Sequence, residues 1–90
     1  MTGFVSAAEV EAQLRAELTP TRLEVHDDST AHAGHAGARE GRHFSVLIES
    51  ARCAGLSRVA RHRLVYDALR SLIPRGIHAI AIDARAPGEN

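Results

Sequence analysis

His32 and His35 stand three residues apart in a stretch of small side chains, and His78 lies far downstream at the entry to an apolar run. With His26, His43 and His62 they make six histidines in ninety residues. Imidazole is the commonest metal-ligand side chain and titrates near neutral pH, so the excess points first to metal chemistry, although surface histidines alone would also account for it. Sulfur is nearly missing. The lone Cys53 rules out an internal disulfide and any all-cysteine metal site. Other chemistry is weakly represented. Ser29 and His32 could be called a nucleophile and its base, but nothing nearby orients the imidazole. Asp27 and Asp28 read as a solvated loop start, and no glycine loop of the phosphate-binding type is present, so no enzyme activity is expected.

The charges limit the partners. Eleven arginines balance eleven acids and lysine is absent, so no net attraction draws the chain to nucleic acid or membrane. The distribution is uneven. Residues 1–41 hold seven acids against three arginines, whereas residues 42–75 hold seven arginines against Glu49 and Asp67. One basic face is therefore expected, which keeps weak DNA binding open. No apolar stretch nears the roughly 20 residues needed to span a bilayer, and the start of the chain lacks the pattern of a secretory signal. A cytoplasmic location and no membrane contact are expected.

The elements that must position these residues can be read from periodicity. Ser6 with Glu9 forms a capping-box pattern, and Ala7, Val10, Leu14 and Leu18 then recur on one helical face until Pro20. Arg22–His26 alternates as a short strand with Leu23 and Val25 inward. Residues 27–41 are a loop, with three glycines and little apolar content. Its Gly34-His35-Ala36-Gly37 matches a GXXG pattern by coincidence, because it lies between strands. His43–Ser50 is the clearest strand, with Phe44, Val46 and Ile48 on one face. Ser57 caps a second helix running to about Ile73, whose stripe is Val65, Ala68, Leu69 and Leu72, and Pro74 and Gly76 end it. Ile77–Ala84 is the third strand, and period-two counting places His78 on the same side as Ile80 and Ile82. The segment 87–90 is expected to be a flexible tail.

The order α-β-β-α-β predicts a two-layer α+β domain over residues 6–86. Its first two strands pair antiparallel, and a right-handed crossover makes the third parallel to the second. Both helices then cover one face of a three-stranded mixed sheet.

Several separated motifs, in this order, resemble the BolA-like family. They are Leu23-Glu24-Val25-His26-Asp27-Asp28-Ser29, then His32, then His43-Phe44, then Gly55-Leu56-Ser57, then Arg61-His62-Arg63-Leu64-Val65-Tyr66, and His78 within Gly-Ile-His-Ala-Ile. The resemblance covers about Val10 to Pro87. It implies a class II KH-like topology with a short extra turn before the last helix. It also implies a non-enzymatic partner of a monothiol glutaredoxin, sharing a bridging [2Fe–2S] cluster with it and with glutathione, in cluster trafficking or iron sensing. Of the ligands it implies, His78 is one, and His32 or His35 is the other. Arg61, His62 and Arg63 are implied as partner contacts.

The donor set agrees with that implication. A cluster held partly by imidazole needs thiolates for the remaining positions, and a chain with one cysteine must take them from another molecule. His26 and His43 read as strand-edge residues, and Cys53 as an ordinary small apolar one. Two rivals stand beside this reading. One is a DNA-binding transcription regulator using the KH-like fold. The other is a mononuclear site in which His32, His35 and His78 hold Zn²⁺. A monomer in isolation is the simplest expectation.

Overall fold

A computed structural model of the chain describes residues 5–28 and 42–89. The first helix, α1 (Ala7–Leu18), starts as the capping box requires: the Ser6 hydroxyl accepts from the Glu9 N–H, and the Glu9 carboxylate accepts from the Ser6 N–H. Val5, just before the cap, and Val10, on the first turn, are both fully buried, the arrangement of a hydrophobic staple. Val10, Leu14 and Leu18 form the inward face. The helix closes at Thr19 in a left-handed conformation, φ 40°, with its N–H donating to the Arg15 carbonyl. Pro20 follows and cannot continue the helix.

The sheet has the expected order and directions. Strand β1 (Arg22–Asp27) pairs antiparallel with β2 (Arg42–Glu49), and β2 pairs parallel with β3 (Ile77–Arg85), so β2 is central. β1 runs one residue beyond its expected end because Asp27 still pairs with Phe44. Phe44, Val46 and Ile48 point from β2 into the core, where they meet α1 and the second helix, α2 (Arg58–Ala68). A 3-10 turn at Ala51–Cys53 precedes α2, and Cys53 is buried in it. Ser50 joins the layers: its buried hydroxyl donates to the Leu18 carbonyl at 2.8 Å and accepts from the Arg52 N–H.

The second helix is shorter than its apolar stripe suggested. It ends at Ala68, not near Ile73, and the chain continues in tight turns to a 3-10 segment at Ile73–Arg75. Leu69 and Leu72 remain buried all the same. The cause lies on α1. Gln13 donates from Nε2 to the Ala68 carbonyl at 3.1 Å, taking the acceptor that a continuing helix would offer to Leu72. The Leu72 N–H donates to the Leu69 carbonyl instead. Among the described residues, no helix is long and apolar enough to cross a membrane.

Candidate functional site

The register between β2 and β3 contains one irregularity, and it decides where His78 goes. Arg42 partners Ile77, but His43 partners Ala79, so His78 is an extra residue in β3, a β-bulge. From Ala79 onward the pairing is regular, with Phe44 opposite Ile80 and Val46 opposite Ile82. Strict alternation back from Ile80 would bury His78 and expose Ile77. The bulge reverses this: Ile77 is 7% exposed and belongs to the core, while His78 is exposed. The expectation that His78 shares a side with Ile80 and Ile82 is therefore corrected. The signal was present in the sequence, since two isoleucines three apart cannot both face one side of a regular strand.

Released from the core face, His78 meets His43. Their ring centroids are 5.1 Å apart and the rings are inclined at 37°. His43 alternates with Phe44 and so shares the open face of the sheet with Ser45 and Leu47. It lies on the central strand, which corrects its reading as a strand-edge residue. His26 does lie on an edge strand, β1, exposed, with Nε2 3.7 Å from the Glu24 carboxylate. Asp28 braces the start of the open face: its N–H donates to the His43 carbonyl at 2.7 Å, and its carboxylate accepts from the Ser45 hydroxyl. A shallow depression of about 250 Å³ lies there, lined by Asp28, His43, Ser45 and Ala79 among others. Asp28 is thus a fixed part of this site, where sequence reasoning saw only a solvated loop start.

Two imidazoles held side by side can ligate one metal or one iron of a cluster. His32 and His35 lie outside the described residues, so the proposed second ligand and the three-histidine zinc site fall there too. Among the described residues, no group of three or more His, Cys, Asp or Glu side chains is arranged to hold a metal ion. Cys53 is buried, and burial pushes its thiol above the usual range, so it offers no accessible thiolate.

The expected partner contacts divide. His62 and Arg63 are exposed on α2, and His62 makes an edge contact with Tyr66 at 5.8 Å between centroids. Arg61 is drawn inward. Its guanidinium donates to the carbonyls of Leu56 and Ala84 and clasps the Glu89 carboxylate through both terminal nitrogens, Nη2 to Oε2 at 2.7 Å. Glu89 also accepts from the Ala86 N–H. With Arg61 as the main cause, its carboxyl falls to about 2. These bonds tie Glu89 to α2, and Asn90 lies outside the described residues.

In the arginine-rich middle, carboxylates neutralise two of the described arginines. Arg75 pairs with Glu9 at 3.0 Å and Arg61 with Glu89, while Arg52 and Arg70 turn onto backbone carbonyls. A strand of phosphates would find carboxylates interleaved with the remaining cations, which disfavours the DNA-binding alternative.

Comparison with known proteins agrees with the fold and the motifs. The family described as BolA-like protein matches residues 14–89. The chain is 40% identical over 88 residues to the Arabidopsis thaliana protein named Protein BOLA1, chloroplastic, covering 93% of this chain and 55% of that one. It is 40% identical over 91 residues to mouse BolA-like protein 1, covering 97% and 65% respectively. The chain thus spans between about half and two thirds of these relatives' lengths. The solved BolA domain of SufE1 from Arabidopsis thaliana superimposes with a TM-score of 0.81 at 43% identity, over 93% of this chain and 94% of that one.

Proposed function

The chain belongs to the BolA-like family, and on that premise we propose that it is a non-enzymatic partner of a monothiol glutaredoxin, sharing with it a bridging [2Fe–2S] cluster. The observation that carries the reading is the His43–His78 pair. Both rings lie at one end of the open sheet face, 5.1 Å apart. His78 is exposed and His43 half-buried beneath it, so His78 is the more accessible of the two to a partner.

The donor set fits such a cluster in kind and falls short of it in number. Histidine can replace cysteine on one iron of a two-iron cluster, and thiolates must fill the other positions. The only thiol in this chain is buried. A glutaredoxin cysteine and glutathione would supply the sulfur, and the cluster would be cargo passed on or sensed at the junction. His78 would be the first ligand, and the second imidazole would come from His32, His35 or His43. His43 joins that set on proximity alone. Asp28 holds the backbone at His43 in place, so this end of β2 is a firm platform for the pair.

The test is spectroscopic. Apo protein is mixed with a cluster-loaded monothiol glutaredoxin, and visible absorbance and circular dichroism are recorded. The wild type should change the spectrum, His78→Ala should abolish the change, and single alanine replacements of His32, His35 and His43 should identify the second ligand. A loaded glutaredoxin whose spectrum ignores the wild-type protein would defeat the proposal.

A further inference from the structure

The His43–His78 pair has the geometry of half a zinc site. Its ring centroids stand 5.1 Å apart, with the rings inclined at 37°. When two imidazoles bind one tetrahedral Zn²⁺, bonds of about 2.0–2.1 Å and the tetrahedral angle set their centroids roughly 5 Å apart. The pair therefore already has the spacing of a chelate. Two donors do not complete such a site. Zinc in a structural role takes four ligands, and among the described residues no third His, Cys, Asp or Glu side chain joins the pair in a metal-binding group.

The open face of the sheet lets the missing donors come from a second copy of the chain. The pair lies at one end of that face, His78 exposed and His43 half-buried. Beside it Ser45, Ala79 and Ala81 are small, and they line the shallow depression there together with Asp28 and His43. Charge does not hold two copies apart. The chain has no net charge, and the charged pairs of the outer strands on this face are closed within it, Arg22 with Glu24 at 2.7 Å and Arg85 with Asp83 at 2.9 Å. A two-fold axis through the ion would present the same two imidazoles from each chain, the isologous arrangement usual in homodimers. We propose that the chain binds Zn²⁺ between two copies of itself, with His43 and His78 of each copy supplying one nitrogen apiece.

The surroundings of the pair suit a dication. Asp28 places one carboxylate per chain in the same depression, which offsets the charge of an ion held by neutral imidazoles. Its N–H also fixes the His43 carbonyl at 2.7 Å, so the backbone of one ligand is set before the ion arrives. Four nitrogen donors in a tetrahedron select Zn²⁺ over Mg²⁺ and Ca²⁺, which take oxygen ligands. Because the side chains beside the pair are small, the ion and not buried apolar area holds the two copies together, and the metal-free chain stays a monomer. The site needs neither iron nor a glutaredoxin, so it stands or falls apart from the cluster reading.

The experiment titrates Zn²⁺ into the purified, metal-free full chain and follows its mass by analytical ultracentrifugation. The mass should double, with an end point of one ion per two chains. Co²⁺ in place of Zn²⁺ should give the strong visible bands of a tetrahedral ion. His78→Ala and His43→Ala should each bind Zn²⁺ at least about tenfold more weakly and stay monomeric, since even the loss of an outer-shell partner costs that much. His78 is exposed, so its variant should keep the dispersed amide spectrum of the folded chain. His32→Ala combined with His35→Ala should dimerise as the wild type does. One ion per chain with no change in mass, or the weak bands of octahedral Co²⁺, would overturn the proposal. So would a dimer that survives the loss of His78, or one that the two loop replacements abolish.

Discussion

His43 and His78 meet because β3 carries one residue more than β2 where the two strands begin to pair. The extra residue is His78 itself, and the strand can absorb it only by moving that side chain off the core face. A bulge thus serves two needs: Ile77 and Ile80 both reach the core, and an imidazole is set beside another on the open side of the sheet. Bulges commonly re-aim a side chain next to a functional site.

Removing the bulge should therefore separate fold from site. In a variant lacking His78, Ile77 would stay opposite Arg42 and Ala79 opposite His43, now in regular register, so Ile77 and Ile80 would both keep the core face while the imidazole is lost. Neither this deletion nor His78→Ala removes a buried side chain, and each should cost about 1 kcal/mol or less, because His78 is exposed. Chemical denaturation of the two variants checks this, and a large loss of stability in either would contradict it.

The Arg61–Glu89 clasp sets an acid limit on the C-terminal turn. Glu89 titrates at about 2 in the folded chain against an ordinary value of 4.5, the Arg61 hydrogen bonds being the largest cause. A depressed folded pKa means the folded state binds fewer protons than the unfolded one between these values. The clasp's contribution to stability is accordingly whole above pH 4.5 and is lost as pH falls through about 2. Carboxyl NMR should find the Glu89 midpoint near the lower figure, and Arg61→Ala should return it toward the ordinary one.

Ser50→Ala tests the joint between α1 and the sheet. The hydroxyl is buried and donates to the Leu18 carbonyl, one of the last carbonyls of α1. Its loss leaves that acceptor without its partner in a dry place, and the expected destabilisation is about 1–3 kcal/mol, read from the denaturation midpoint. Ser50→Thr, which keeps the hydroxyl, should recover part of the loss.

Thr19→Gly should stabilise the chain. Thr19 is exposed and sits at φ 40°, where a β-branched side chain is crowded by its own backbone. Glycine adopts this conformation freely, and after allowing for its looser unfolded state the net gain is on the order of 0.5–1 kcal/mol. For a domain of this size that amounts to a rise in Tm of a few degrees, about 4–8 °C per kcal/mol. An unchanged or lowered Tm would contradict it.

The amino-acid order by itself determined every element that rests on neighbours in the chain. The Ser6–Glu9 capping box, the inward faces Val10-Leu14-Leu18 and Phe44-Val46-Ile48, and the α-β-β-α-β succession all follow from spacings within a few residues. The motifs from Leu23 to His78 placed the chain in its family for the same reason, since each is local and the order is linear. Tertiary structure alone decided what depends on residues far apart. Gln13 reaching Ala68 stops α2 early, Glu89 draws Arg61 away from solvent, and the shift in pairing at Arg42 and His43 turns His78 toward His43. Periodicity describes one element at a time, whereas a hydrogen bond between elements or a strand register exists only once two of them have met.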